Sequence, residues 1–338
     1  MPNSFGNNFK LTIFGASHAP DIGMELTGIP AGKAVDLPGL QAFLNRRAPG
    51  QSPLSTQRKE ADIPQFLSGI VHGATNGDAI RAVIYNENIH RSDYDPLRRI
   101  PRPGHADYTA WVKYGADFDM SGGGPFSGRM TAPMCIAGGL CKQWLEEMGI
   151  SIRATIVQIG NVSMLADGTA EEDLYAQIAA AKERGDSVGG KIRCTATGVP
   201  AGFGGELFSG VESHVSSILF SIPGVKAVGF GDGEGFASMP GSIANDPFLV
   251  ENGRIITETN HCGGILGGIT NGMPIVFDVT LKPTPSISLP QKSVDLTTME
   301  EVTMQVGGRH DPCIVPRAVP VVEAAAAIAL YDLILGGI

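Results

Sequence analysis

Strand-like and helix-like stretches are mixed along this chain without the even spacing of repeated βαβ units, and that irregularity is what most restricts its fold. Lys10 to Phe14 alternates and is closed by Gly15, which predicts a strand delivering Gly15-Ala-Ser-His18-Ala into a loop. Asp36 as N-cap and Pro38 in the first turn predict a helix over 37–47, stopped by Ala48-Pro49-Gly50. Further strands are expected at 80–85, 152–159, 191–197, 225–230 and 274–281, and helices at 129–148, 171–184 and 211–220. The apolar run from Val319 to Ile338 is interrupted by Glu323 and Asp332 and reads as a buried helix, not a bilayer span. Residues 51–62 and 86–128 lack periodicity and read as long functional loops. No Pro/Ser-rich linker divides the chain, so residues 1–338 are read as one domain of the α+β class.

Charge and cysteine content narrow the function. The formal net charge is −9, which argues against nucleic acid as the main partner. Arginines nevertheless cluster at 46–47, 98–99 with 102, and 309 with 317, an arrangement suited to a small anionic substrate. Charged residues are only 17% of the chain and glycines number 45, which suits tight loops and much buried surface. The five cysteines are scattered, with no Cys-x-x-Cys pair, so neither a disulfide framework nor a zinc ribbon is expected. No basic-then-apolar leader is seen, and a cytoplasmic protein that does not engage a membrane is expected.

The densest chemistry lies between Arg102 and Thr131: Arg102-Pro-Gly-His105, a carboxylate two residues on, then Ser121-Gly-Gly-Gly-Pro-Phe-Ser127-Gly-Arg129. Three successive glycines can take positive φ and offer bare N–H groups to an anion. His18, His105 and the run Gly307-Gly-Arg309-His310-Asp311 supply acid, base and anion clamp, and an imidazole titrates near neutral pH. Any one histidine is more often incidental, and His72, His90, His214 and His261 are read as structural or surface residues. Gly185-Asp-Ser-Val-Gly-Gly-Lys191 has P-loop spacing, but Ile192 stands where Mg²⁺ needs a hydroxyl, and a strand follows where a helix should. Spacing by itself leads to an enzyme acting on a phosphorylated or carboxylated small molecule.

Taken in order, the motifs resemble the chorismate synthase family nearly end to end. They are Phe14-Gly-x-Ser-His18, Gly28-Ile-Pro-Ala-Gly32, Arg46-Arg47-x-Pro-Gly50, Thr56-Gln-Arg58-x-Glu60 and Arg102-Pro-Gly-His-Ala-Asp-Tyr108. The second half adds Gly185-Asp-Ser-Val-Gly-Gly190, Gly263-Gly-Ile-Leu-Gly-Gly268, Lys282-Pro-Thr and Gly308-Arg-His-Asp-Pro-Cys313. The resemblance implies a β/α sandwich with mixed sheets, a cytoplasmic homotetramer, and anti-1,4-elimination of phosphate from 5-enolpyruvylshikimate 3-phosphate. It also implies reduced FMN with no net redox change, supplied by an external reductant to a monofunctional enzyme. By similarity His18 would be the protonated imidazole near the leaving phosphate, His105 the donor near flavin N1, and Asp311 the handler of the N5 proton. Ser17 and Ser127 would support that relay. Arg47 and Arg58, with Arg129, would meet substrate anions. Ser127, Ala244, Asn245, Gly267, Lys282, Pro283, Thr284, Pro285, Ser286 and Arg309 would hold the flavin.

Some family positions are replaced. Gly-Glu-Ser-His-Gly is here Gly15-Ala-Ser-His-Ala19, and Arg-Ser-Ser-Ala-Arg-Glu-Thr is Pro125-Phe-Ser-Gly-Arg-Met-Thr131. Frequent arginines become Ala48 and Pro53. With the proposed proton-handling groups retained, an active enzyme is expected. The alternative is a divergent relative that binds flavin or a phosphate anion without turnover.

Overall fold

The computed structural model describes residues 3–48, 50, 62–86, 99–164, 168–307 and 310–337. Two five-stranded sheets carry it. The first runs Ser4–Phe5, Lys10–Gly15, Asp21–Thr27, Ile80–Tyr85, Gln65–Ser68. The second runs Val225–Phe230, Ile275–Leu281, Gly190–Thr197, Ser151–Ile159, Val162–Ser163. The helices are α1 (Leu37–Arg47), α2 (Asp107–Tyr114), α3 (Thr131–Glu147), α4 (Glu171–Glu183), α5 (Val211–Leu219), α6 (Gly241–Ala244) and α7 (Val315–Leu335). The chain is α+β, with α3 and α7 packed on each other between the sheets, α3 against Asp21–Thr27 and Ile80–Tyr85, α7 against Ser151–Ile159 and Gly190–Thr197. Every pair of neighbouring strands in the two sheets is antiparallel, a narrower result than the mixed sheets expected. Antiparallel neighbours need no crossover helix on the outer faces, which frees α3 and α7 to fill the interior.

The predicted strands and helices form within a residue or two of their expected ends, except that α7 begins at Val315 and ends at Leu335, shifted toward the N-terminus of the apolar run from Val319 to Ile338. Asp36 caps α1 by accepting from the Gly39 N–H at 3.0 Å. Strand Asp21–Thr27 was not expected, because Gly23 and two acids break its pattern. The glycine is needed there: the Phe14 ring crosses it, and a Cβ would stand 2.5 Å from Phe14 Cζ. The segment 86–128 is not wholly irregular either, since it contains α2. That helix buries only Asp107 and Ala110, so it leaves no 3.6-residue apolar stripe to read.

The chain builds one frame twice. Gly28-Ile-Pro-Ala-Gly32 and Gly198-Val-Pro-Ala-Gly202 each follow a strand, and Thr75-Asn-Gly77 and Thr270-Asn-Gly272 each precede one. The threonine hydroxyls donate to Pro30 O and Pro200 O, both at 2.7 Å, and accept from Lys33 N at 2.9 Å and Phe203 N at 3.0 Å. Strand order matches as well: Lys10–Gly15, Asp21–Thr27, Ile80–Tyr85, Gln65–Ser68 in one half correspond to Ser151–Ile159, Gly190–Thr197, Ile275–Leu281, Val225–Phe230 in the other. The loop entering each central helix is caught by the connection that leads into the second strand of its sheet half, through Ser17 N to Gly124 O (3.2 Å) before Asp21–Thr27 and Val188 N to Pro312 O (2.8 Å) before Gly190–Thr197.

Helix α7 is long and apolar enough to cross a bilayer by composition, yet its residues are buried inside the protein, as expected. Its two acids are satisfied there. Glu323 accepts a fork from Arg46 (2.8 and 2.9 Å), Lys142 Nζ (3.0 Å) and Ala154 N (3.0 Å). Asp332 accepts from the backbone of Asn7, Asn8 and Phe9 and lies 2.9 Å from His214 Nε2, pinning the N-terminal strand to the C-terminal helix. Burial alone would raise the Asp332 carboxyl, but His214 and those N–H groups outweigh it and hold the group below its ordinary value.

Two outcomes follow from this packing. A Cβ at Gly138 of α3 would stand 2.3 Å from Ala324 Cβ and 2.4 Å from Ala324 Cα of α7. Gly138→Ala should therefore destabilise by about 1–3 kcal/mol in urea titration, even though alanine favours helix by about 1 kcal/mol. Because the folded pKa of Asp332 is depressed, its contribution is present above about pH 4 and lost as pH falls. Asp332→Asn should cost roughly 2–4 kcal/mol at pH 7 and much less at pH 3, read from the same titration.

Candidate active site

Helix α3 is entered through Ser121–Phe126, whose Gly122, Gly123 and Gly124 sit at φ 62°, 91° and 52°. Only glycine holds three such angles in succession at low cost. A Cβ on Gly122 would stand 2.3 Å from His18 Cδ2 and 3.0 Å from Ser17 Oγ. One on Gly123 would stand 3.2 Å from His105 Nε2 and 3.5 Å from Ser127 Cβ. His18 and His105, far apart in sequence and delivered by different elements, thus meet neighbouring residues of one bare loop. Four of the expected proton-handling residues are gathered there. Phe126 anchors the far end of the loop beside Tyr114 of α2, their rings 6.5 Å apart.

His105 sits in the turn before α2. Its Nδ1 is 2.6 Å from Asp107 Oδ1, and Arg102 grips the same carboxylate through Nε (2.7 Å) and Nη2 (2.8 Å). Arg102 Nη1 reaches Ser286 Oγ at 3.2 Å, and Lys282 Nζ donates to Gly104 O, so the 282–286 loop lies against 102–104. Burial would raise the Asp107 carboxyl; hydrogen bonds and charge from Arg102 and His105 reverse that and hold it far below the carboxylate range. The P-loop lookalike supports this loop from behind. Ser187 Oγ donates to Thr284 O at 2.7 Å, and a Cβ on Gly189 would stand 2.4 Å from Leu281 O. Its glycines serve close backbone packing.

A second network carries the guanidinium groups. Arg47 ends α1 and is 2% exposed, with Nε bonded to Asp62 Oδ2 at 2.7 Å and Nη1 3.4 Å from Thr131 Oγ1. Its Nη2 has no hydrogen-bond partner among the described residues. Burial pushes the Arg47 pKa down, as do Arg317 and Arg129, while Asp62 opposes them. Arg129 shares Asp62 and donates from Nε to Asn86 Oδ1 at 3.3 Å. Asn86 Nδ2 in turn donates to Ala19 O at 2.8 Å, fixing the turn that bears Ser17 and His18. Arg317 of α7 bonds Asp311 and donates to Arg47 O at 3.1 Å, which joins Asp311 to the arginine network. Ala244 and Asn245 are held elsewhere, beside Asp246, which accepts from Thr259 Oγ1, His261 N and Cys262 N. Gly267 turns a short hairpin at φ 62°, with nothing within 4 Å of a Cβ. Arg58 and Arg309 lie outside the described residues.

Sequence reading named Arg102 as one of the clustered arginines without its role as a clamp on Asp107, gave no role to Asn86 or Asp62, and noted Asp107 only as a carboxylate. The His-x-Asp spacing at 105–107 was the available signal; Asn86 and Asp62 carried none. Of the remaining histidines, His214 pairs with Asp332 and His261 Nδ1 with Asp232 at 2.5 Å, in line with structural roles.

Two imidazoles on one glycine loop, with arginines and a lysine around them, define a lyase-type site for proton transfer on an anionic small molecule. The family model of chorismate synthase matches residues 9–335. The chorismate synthase of Lancefieldella parvula is 43% identical, covering 98% of this chain and 96% of that protein; that of Thermococcus gammatolerans is 45% identical, covering 98% and 97%. A crystal structure of chorismate synthase superposes with a TM-score of 0.76 at 26% identity, over 98% of this chain and 93% of that one. The chain belongs to the chorismate synthase family.

A replaced position is informative here. Where the family usually has glutamate, Met130 is packed into the core, and Ala48 is buried as well. The glycine loop itself is intolerant. Gly122→Ala would drive a methyl into the His18 ring, and the variant should lose at least roughly 100-fold in kcat together with about 1–3 kcal/mol of stability from the strained φ. Steady-state kinetics beside a denaturation curve checks this.

Proposed function

We propose that reduced FMN and 5-enolpyruvylshikimate 3-phosphate meet over the Gly122–Gly124 loop, where the chain expels phosphate and forms chorismate as a carbon–oxygen lyase. The observation that carries this reading is the placement of His18 and His105 at adjacent residues of that loop. The residues fit a planar anionic cofactor. Gly267 has open space at its Cβ position, and Lys282, Ser286 and Arg102 bring cationic and hydroxyl groups to one place. When bound, reduced FMN supplies an electron-rich surface that assists phosphate departure without net redox change.

The protein's own groups do the rest. His18, buried against the loop, carries the proton offered to the leaving phosphate oxygen, with Ser17 beside it. His105 presents Nε2 to the flavin at N1, and Ser127 lies across Gly123 from it. Asp311, steadied by Arg317, holds the proton of flavin N5. Arg129 and Arg47, with Arg58, orient the substrate anions, and Arg309 with 244–245, 267 and 282–286 bind the flavin. Preorganised cations of this kind lower a barrier because they need not reorient as charge develops.

The chain acts as one domain, is monofunctional and draws its FMN reduced from an external source. The chain works in the cytoplasm as a homotetramer, and its self-association is supported by apolar surface that wants cover. Phe248, Val250 and Ile255 project from an isolated two-stranded hairpin and are all well exposed. Light scattering should give four times the chain mass.

An anaerobic assay with chemically reduced FMN and substrate should release chorismate and phosphate in equal amounts. His105→Ala should lower kcat by roughly 100-fold or more. FMN binding with neither product would instead identify a relative that kept the fold and lost the reaction.

A further inference from the structure

Asp107 lies outside the set of groups assigned to flavin or substrate, yet it is the most heavily committed carboxylate near them. It is buried, takes two guanidinium N–H bonds and the Arg102 backbone N–H at 3.0 Å, and still stands 2.6 Å from His105 Nδ1. Arg102 Nη2 is also 3.1 Å from that nitrogen. Both neighbours cannot be satisfied by one protonation state of Nδ1. A carboxylate only accepts, so a bare Nδ1 would set two lone pairs against each other at the shorter distance. Arg102 Nη2 has two N–H groups, one of which donates to Asp107 Oδ1 at 2.8 Å, and its longer approach to Nδ1 does not offset a lone-pair clash with the carboxylate at 2.6 Å. Nδ1 therefore carries hydrogen, and Nε2, over Gly123, is the nitrogen free to exchange a proton.

We infer that Asp107 is the positioning residue of His105: clamped by Arg102, it fixes the Nδ1–H tautomer and aims Nε2 alone at the cofactor face. This rests on the reading that His105 faces reduced flavin. The charged groups beside His105 other than Asp107 are Arg102, already paired with Asp107, and Lys282, engaged with Gly104 O. Arg102 further ties the clamp to the 282–286 loop through Ser286.

The test uses the full chain with ¹⁵N-labelled histidine and solid-state NMR, without FMN and then with it, the His105 signals identified by their loss in His105→Gln. In the wild type Nδ1 should carry the hydrogen of the neutral ring, with and without FMN. In Asp107→Asn both tautomers should appear. Kinetically, kcat should drop roughly 10- to 100-fold with KM for substrate nearly unchanged. A merely structural residue would lower the amount of active enzyme and leave the tautomer unchanged. A wild-type His105 with its hydrogen on Nε2, or a single Nδ1–H tautomer persisting in Asp107→Asn, would overturn the inference. The wild-type tautomer decides even if the variant does not fold. Failure of the wild type to release chorismate would sink the proposed function and leave the tautomer result standing.

Discussion

The absence of side chains at 122–124 is the constraint on which the site depends. Two imidazoles can share a few ångströms of loop only because nothing but backbone separates them, and the positive φ angles that produce this shape are closed to other residues without strain. Everything else nearby serves to keep that loop in place. Gly124 O accepts from Ser17, Phe126 leans on α2, and Ser127 Oγ caps the turn into α3 by accepting from Arg129 N at 3.3 Å. The rigid long helix that follows turns a flexible sequence into a fixed surface.

The duplicated frame explains why distant segments meet there. In each half the connection leading into a sheet strand hydrogen-bonds the loop that enters a central helix, and α3 and α7 touch at Gly138 and Ala324. Packing the two helices together brings their entry loops near one another, one bearing the glycines and the other Asp311. Only the first half has a histidine in that connection. In the second, Val188 takes the comparable bond and Ser187 braces Thr284, so the two imidazoles lie in one copy while the other shapes the loop read as flavin-binding.

Much of this was legible in the sequence. Alternation, Asp36 and the apolar run ending the chain gave the main strands, α1 and α7, because each depends on local periodicity or capping. Family motifs pointed to Ser17, His18, His105 and Ser127, and the structure does gather them. Asp21–Thr27 and α2 were hidden because Gly23 is dictated by a ring from the neighbouring strand and α2 buries almost nothing. The repeat was hidden because only Gly-x-Pro-Ala-Gly and Thr-Asn-Gly survive of it, in segments of otherwise different sequence. Asn86 and Asp62 act through partners far along the chain, Ala19 and Arg129 among them, and no short window of sequence contains such pairs, whereas Arg102 and Asp107 lie five residues apart with only the His-x-Asp spacing to mark them.

The replaced family residues are best judged by charge and burial together. Relative to the usual pattern, the changes at 16 and 130 remove two carboxylates, and those at 48, 53 and 125 remove up to three cations, so the net change in charge is small. Met130 and Ala48 are buried, and an ion at either place would need its own partner to offset desolvation. Their loss leaves Asp62 as the carboxylate that Arg47 and Arg129 share, and Asp311 with Arg317 beside it. Among the described residues three guanidiniums stand against two carboxylates at that corner, and an anion placed there would meet cations already held by packing and hydrogen bonds.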